Sequence, residues 1–599
     1  VIATLAFIAA AASTVGAQVP AALVSYPEVI LYNGKIVTVD NDDFTANVGT
    51  IAQAIAVRQG KVLAVGANAE IRALAGPKTQ QIDLKGRTVL PGLIATHEHP
   101  ADWAMISPVG FGRVITDDSR IVARYLTGTP EEQLAKLKPA IVEAVSKAKP
   151  GQWIRIYHSR GYFKEWAGPV GNLFTKAVNR QALDQLSPNN PLIVRAGTGA
   201  IVNTLAMEAV LPKLDYFSEE DMKLLKESGA GGTDLQRYVD ADSLMQGDTA
   251  LLGAIYKSEL EYWGSIGVTA FASAAYSPAA LKAFRHLDDK GDFPLRTGWA
   301  YLGPDFSMSV LETLAPLVGT GTDHVWMVGA WPTDNGGSCT TIDAKPAVKS
   351  RERCNFEPGS RGYQEMYNII KSGLRVATMH TGGDKDIDYY MDIIEKASKD
   401  AGFTIEEIRA KRHAFDHMAL APRPDQYPRL KNLNMLASGT TTFLYNHADE
   451  VAAQYGEEYT NWVVPRRRLT DNGIRNTFET DTPLSQHGGT IFEVAVYDLT
   501  RKSKTGKVHA PGQRLDKGTL LKTLTTWGAY YLLKEDVIGS LEPGKFADLI
   551  IVDRDYLAIP DEEVGKIQIL GTMVGGKFIF LERQFAAGYG MTPVGYQKP

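Results

Sequence analysis

Cysteine is nearly missing: the 599-residue chain has two, Cys339 and Cys354. That excludes a disulfide-rich scaffold, and the pair lacks the CxxC spacing of a zinc or redox site, which leaves that reading the weaker one. In an oxidising compartment the two would close a short loop as one disulfide. Basic blocks are missing too. The net charge is -5 and only Arg466-Arg467-Arg468 cluster, so nucleic acid is not an expected partner. The triplet reads as a solvated loop or helix face. No internal repeat or low-complexity stretch is present. A membrane span needs about 20 apolar residues, and the alanine-rich run 1–17 falls short of it. It ends in Val15-Gly16-Ala17, the small-residue pattern of a signal-peptidase site. The expectation is a signal peptide on an exported protein, periplasmic or extracellular, with no span in the mature chain. An uncleaved anchor and a plain helix are the alternatives.

Apolar content of 44% and charge of 22% are those of an ordinary globular protein, and the length calls for two or more domains. Both ends read as β structure. Near the start, Asn33-Gly34 and Gln59-Gly60 separate short apolar runs, and near the end Gly575-Gly576 does the same; such turns signal hairpins. One small β domain built from residues 28–87 and 537–585 is expected. Between them, residues 88–536 alternate apolar strands and helical stretches, the pattern of a parallel sheet or barrel. The candidate strands are 88–99, 268–274, 295–302, 325–331, 375–380, 414–418, 433–438 and 474–481. The gap from about 101 to 265 is too long for a crossover, and reads as an inserted subdomain or lid that shapes substrate access.

Chemistry concentrates at the ends of these strands. In Leu90-Pro91-Gly92-Leu93-Ile94-Ala95-Thr96-His97-Glu98-His99 the two histidines fall on one face of a strand and Glu98 on the other. His380, His417 and Asp481 close the fifth, sixth and eighth candidates. One histidine at a strand end is ordinarily structural; five metal-competent side chains at one barrel mouth make a divalent metal site.

These residues resemble the amidohydrolase superfamily, and within it the YtcJ-like (amidohydrolase 3) branch. The likeness rests on Tyr32-Asn33-Gly34-Lys35, on Leu90-Pro91-Gly92 with the paired histidines, and on His380 with Gly383-Asp384. It continues through Asp416-His417, Asp481-Thr482-Pro483 and Ile538-Gly539-Ser540-Leu541-Glu542-Pro543-Gly544-Lys545-Phe546-Ala547-Asp548-Leu549. The resemblance implies an α/β fold: a distorted (β/α)8 TIM-like barrel with a small composite β-sandwich domain from both termini. It also implies a divalent cation at the mouth. The lysine that often bridges two ions on the fourth strand is missing; Ala330 stands there, and Asp334 is the nearby anion, read as ordering the loop. The expectation is therefore one Zn²⁺, with two ions or another transition metal as alternatives. The branch's Gly-His pair in the insertion is replaced by Gly197-Thr198, which implies a changed substrate contact.

In this reading His97, His99, His380 and Asp481 hold the ion, and Asp481 moves a proton from the attacking water to the leaving nitrogen. His417 polarises the substrate or becomes a ligand if a second ion binds. Asp384 and Asp416 are candidate orienting carboxylates, Asp384 equally a helix cap. Trp331, Tyr445, His447 and His487 are candidate substrate contacts on the rim, the last three expected in loops. The expected function is hydrolysis of a non-peptide C–N bond, a substituted or cyclic amide, in a small-molecule substrate. Decarboxylation or ester or lactone hydrolysis on the same scaffold is the alternative, and a metal-free binding protein a more distant one. A homo-oligomer is compatible with the sequence.

Overall fold

The computed structural model describes residues 25–598, apart from residues 116, 118–119, 215–218, 233–243, 246, 276, 303–304, 333–338 and 343–353. The run 1–17 and Asp334 thus lie outside the described residues. Among the described residues no helix is long and apolar enough to cross a membrane.

Strands from early and late in the described residues meet in one place. A six-stranded sheet runs in the order Lys577–Leu581, Ile569–Val574, Leu549–Val552, Thr88–Pro91, Lys35–Val37, Ile51–Ala52. Beside it a four-stranded sheet runs Lys61–Gly66, Ala54–Arg58, Val29–Tyr32, Gln80–Asp83. Leu31, Ile55 and Ile82 of the second share an apolar cluster with Ile36, Val89, Leu549 and Ile551 of the first. Gln59-Gly60 and Gly575-Gly576 form the expected hairpin turns, with φ of 52° and 77°, and 54° and 74°. Asn33-Gly34 does not: Val29–Tyr32 and Lys35–Val37 belong to different sheets. Here the chain crosses between layers under Leu84, whose Cδ1 would lie 2.3 Å from any Cβ at position 34.

Two parallel sheets carry the central part. One runs Val325–Ala330, Arg296–Tyr301, Val268–Ala275, Leu93–Ala95, and the other Ala414–Phe415, Leu436–Thr440, Asn476–Glu479. Parallel bridges Ala330–Val376 and His380–Asp416 link them on one side. On the other, Thr96 N–H donates to the Phe478 carbonyl at 2.8 Å. The alanines Ala270, Ala272, Ala274, Ala300, Ala377 and Ala414 pack with Trp326, Trp331 and Tyr531 in one buried cluster. Small strand residues make room for those large rings.

Two expected strands come out differently. Residues 88–99 form two strands in two sheets, because Gly92 pivots the chain: its position has no room for a side chain, with Thr269 Oγ1 2.2 Å from a would-be Cβ. Residues 375–380 form only bridges, since Thr378 has φ of 62° and breaks the extended run. Arg466 is not solvated either; it is buried, pairs with Asp498 at 3.0 Å and donates to the carbonyls of Gly439 and Thr477.

The long gap holds its own mixed sheet, in the order Ala230–Gly231, Gly199–Val202, Leu192–Ala196, Trp153–His158, Ile121–Leu126. Helices Pro130–Lys147 and Ala167–Ala177 contribute Leu137, Ile141, Val170 and Phe174 to the core beneath it. Helix Thr249–Ser265 returns the chain to the strand Val268–Ala275.

Candidate metal centre

The pair lies just past strand Leu93–Ala95, and its two rings still face one way. His97 and His99 turn their Nε2 atoms to within 3.1 Å of each other. Glu98 turns the other way and accepts from the backbone N–H and the hydroxyl of Thr480, at 2.6 and 2.9 Å. His380 brings its Nε2 to 3.0 Å from that of His97. Asp481 lies two residues beyond its strand, with Oδ1 3.2 Å from His99 Nε2 and Oδ2 3.9 Å from His417 Nε2. Among the described residues three ligand-competent trios form around His97: with His380 and His417, with His99 and Asp481, and with Asp416 and Glu479.

Carboxylates hold the far sides of two rings. Asp416 Oδ2 is 2.8 Å from His97 Nδ1, and Tyr531 Oη donates to the same carboxylate at 3.0 Å. Glu479 Oε1 is 2.5 Å from His417 Nδ1, while its other oxygen accepts from Ser438 Oγ at 2.5 Å. Sequence reasoning passed over Glu479, which closes strand Asn476–Glu479 and stands two residues before Asp481, the same spacing as the histidine pair. It also passed over Lys164, whose Nζ lies 2.7 Å from Asp481 Oδ2. Lys164 comes from the insertion, and no local pattern marks it.

Burial sets the charges. It lowers His97 to about 3, with the His417 charge adding to the effect, and His99 to about 4; His380 falls well below the ordinary range for the same reason. These three rings are neutral at pH 7 and offer lone pairs. Burial alone would lower His417 and raise Asp481, but charges overrule it in both. Glu479 raises His417, and Lys164 with the bond from His99 holds Asp481 well below the carboxylate range. Burial pushes the Asp416 carboxyl up. Three neutral imidazole nitrogens beside a carboxylate are a donor set that suits a divalent metal.

The other expected residues are scattered more widely. Trp331 is buried with its ring 4.6 Å from that of His380 and 5.5 Å from that of His97, so it walls the cluster. Asp384 opens helix Asp384–Ala401 and accepts from Thr340, Thr341 and Arg423 rather than from the histidines. Cys339 and Cys354 are joined in a disulfide, which holds the segment carrying Thr340 and Thr341. Tyr445 and His447 sit on helix Thr441–Gln454, not in a loop. Tyr445 packs on Phe163, and His447 turns outward to Glu450 at 3.0 Å. His487 lies in the loop after Asp481, its ring 5.0 Å from that of Tyr162, with both ring nitrogens buried and unbonded within the chain.

Residues 80–580 match the Amidohydrolase family. The chain belongs to that family. As an amidohydrolase it is an enzyme, a metal-dependent hydrolase. It is 22% identical to an N-substituted formamide deformylase of Arthrobacter pascens, over 92% of this chain and 97% of the relative. It is 24% identical to the protein LONG AFTER FAR-RED 3 of Arabidopsis thaliana, over 94% and 92%. Among solved structures, an uncharacterized metal-dependent hydrolase of Pyrococcus horikoshii superposes with a TM-score of 0.61 at 20% identity, covering 89% of this amidohydrolase and 99% of that chain. A similar hydrolase of Pyrococcus furiosus gives 0.59 at 20%, covering 88% and 99%. Both likenesses concern the fold.

Proposed function

We propose that this amidohydrolase hydrolyses a non-peptide C–N bond, in a substituted or cyclic amide, with one Zn²⁺ held by His97, His99, His380 and Asp481. The observation that carries the reading is the meeting at His97 of two trios, one with His99 and Asp481 and one with His380 and His417, while Asp416 and Glu479 hold the outer nitrogens of His97 and His417. With the shared proton on His97 Nδ1, its Nε2 turns a lone pair inward, the arrangement that orients metal-binding histidines. The two parallel sheets and the 375–380 segment are read as one distorted (β/α)8 barrel, and the terminal sheets as its β-sandwich.

When bound, the cation supplies Lewis acidity and acidifies a water. The chain does the rest. Asp481 Oδ1 accepts the proton of the attacking water and returns it to the leaving nitrogen. His417, held through Nδ1 by Glu479, faces the substrate carbonyl with Nε2 and stabilises the charge that grows on its oxygen. Trp331 closes one wall and keeps bulk water away. The name of the Arthrobacter pascens relative makes N-substituted formamides the first substrates to assay, followed by cyclic amides. The run 1–17 and the Cys339–Cys354 disulfide support export.

Elemental analysis of protein purified without chelators is the test, combined with amine release from those amides. About one equivalent of zinc per chain, with turnover abolished by chelation and restored by Zn²⁺, supports the reading. Two equivalents would move His417 into the ligand set. No metal, and no turnover after adding it, would refute the proposal.

A further inference from the structure

The insertion touches the histidine cluster at its start, where the Trp103 ring lies 5.5 Å from that of His99, and again through one strained turn. Gly161, Phe163 and Lys164 all have left-handed backbone, with φ of 74°, 49° and 62°. Adjacent non-glycine residues rarely adopt it, and such geometry persists only where the surroundings impose it. Here they do so from several sides. The Phe163 ring is 1% exposed and lies 3.9 Å from that of Tyr162 and 5.2 Å from that of Tyr445. The Phe163 carbonyl accepts from Asn446 Nδ2 at 3.0 Å, and Arg160 N–H donates to Gln486 Oε1 at 3.0 Å. A Cβ on Gly161 would lie 2.5 Å from the Trp166 indole. The clamping groups come from helix Thr441–Gln454 and from the turn Leu484–Gln486, which follows Asp481 directly.

The strained turn delivers Lys164 Nζ to Asp481 Oδ2 at 2.7 Å. The side chains are 28% and 13% exposed, and an ion pair so largely shielded loses in desolvation much of what it gains in attraction, so it adds little net stability. Stability therefore does not account for the strain. Geometry does. A carboxylate can exchange its oxygens by rotation, and Asp481 has Oδ1 toward His99 and Oδ2 between Lys164, at 2.7 Å, and His417, at 3.9 Å. The ammonium fixes which is which.

We propose that Lys164 is a positioning residue for Asp481: it holds Oδ2 so that Oδ1 is presented to His99 and the cluster, which makes the insertion a working part of the centre. The proposal rests on the metal-dependent reading above. The test compares the full-length wild type with Lys164→Met, Lys164→Arg and Asp481→Asn after loading with Co²⁺, whose visible bands report ligand geometry. Lys164→Met should unfold at the wild-type temperature yet shift the bands toward those of Asp481→Asn. Its kcat should fall about 10- to 100-fold with KM nearly unchanged, and Lys164→Arg should recover both signals. Bands and kcat like the wild type, or a rise in KM alone, would overturn the proposal while leaving the metal site intact. Failure of the wild type to bind Co²⁺ would remove both readings together.

Discussion

Asp416 reaches the cluster through a histidine. It is fully buried, bonded to His97 Nδ1 and steadied by Tyr531, so its effect is to choose the orientation and proton position of that ring. Asp416→Asn should weaken Zn²⁺ binding about 10- to 100-fold without unfolding the chain. Competition with a chromogenic chelator measures this, and an unchanged affinity would dismiss the role. Strain gathers at the same residues: His417, Met418 and Asp481 have φ of 80°, 50° and 42°. Glu259 carries a separate, titratable tension. It is buried on helix Thr249–Ser265, accepts from Ser485 and Trp263, and burial pushes it up from 4.5 to about 7. A carboxyl with a raised folded pKa binds its proton more tightly when folded. Its stabilising effect is therefore full below about pH 4.5 and lost as pH rises through about 7. The difference is worth roughly 3 kcal/mol. Melting temperature should fall between pH 5.5 and 8.5 in the wild type and fall less in Glu259→Gln; parallel slopes would contradict this. The sequence made His97 and His99 legible because strand alternation is local. Glu479 carried the same period and went unread. Lys164 was not legible at all, since its partner lies in a different part of the chain.

Strands were easier to find in the sequence than to assign to sheets. The apolar run from Thr88 to Ala95 announces β structure, but only the tertiary contact at Gly92 divides it between a terminal sheet and a central one. Nor could pattern alone show that Thr378 would turn left-handed and give its N–H to Tyr531 Oη, at 2.9 Å. Turn chemistry was informative where both flanks stayed in one sheet, as at Gln59-Gly60, and misleading at Asn33-Gly34, where packing under Leu84 redirects the chain. Gly92 provides the check. Gly92→Ala would press its methyl group into Thr269, at 2.2 Å from Oγ1 and 2.7 Å from Cβ, so a rotamer change does not relieve it. Destabilisation of about 1–3 kcal/mol is expected. Because strand Leu93–Ala95 leads directly to His97, zinc affinity should fall along with stability. A variant that melts like the wild type and keeps its metal would show that the pivot tolerates a side chain.

Across the whole molecule, the terminal sheets and the central strands must hold a fixed relation, because one strand end feeds both. The Pro543-Gly544-Lys545-Phe546-Ala547-Asp548 stretch, legible in the sequence as a return into the terminal β structure, also supplies the clasp. Asp548 pairs with Arg296 through two bonds, 2.6 and 3.0 Å long, with side chains only 4% and 2% exposed. The same carboxylate accepts from Gly575 N–H at 2.7 Å, and the guanidinium lies 4.1 Å from the Phe546 ring centroid and donates to the Asp323 carbonyl at 2.7 Å. Arg296 begins a central strand, while Asp548 immediately precedes the terminal strand Leu549–Val552. The pairing spans 252 residues, so no local pattern could have revealed it. Two desolvated charges gain little over a well-packed apolar pair, but stranding one of them is expensive. Asp548→Ala should therefore cost about 3–5 kcal/mol, and the double change Arg296→Met with Asp548→Leu much less than that. Urea unfolding followed by tryptophan fluorescence would separate the two. If the single variant unfolds within about 1 kcal/mol of the wild type, the range of a solvent-screened surface pair, the buried pair is not the clasp. The shared apolar cluster of the terminal sheets and the Gly92 pivot would then be left to fix how those sheets sit on the central strands.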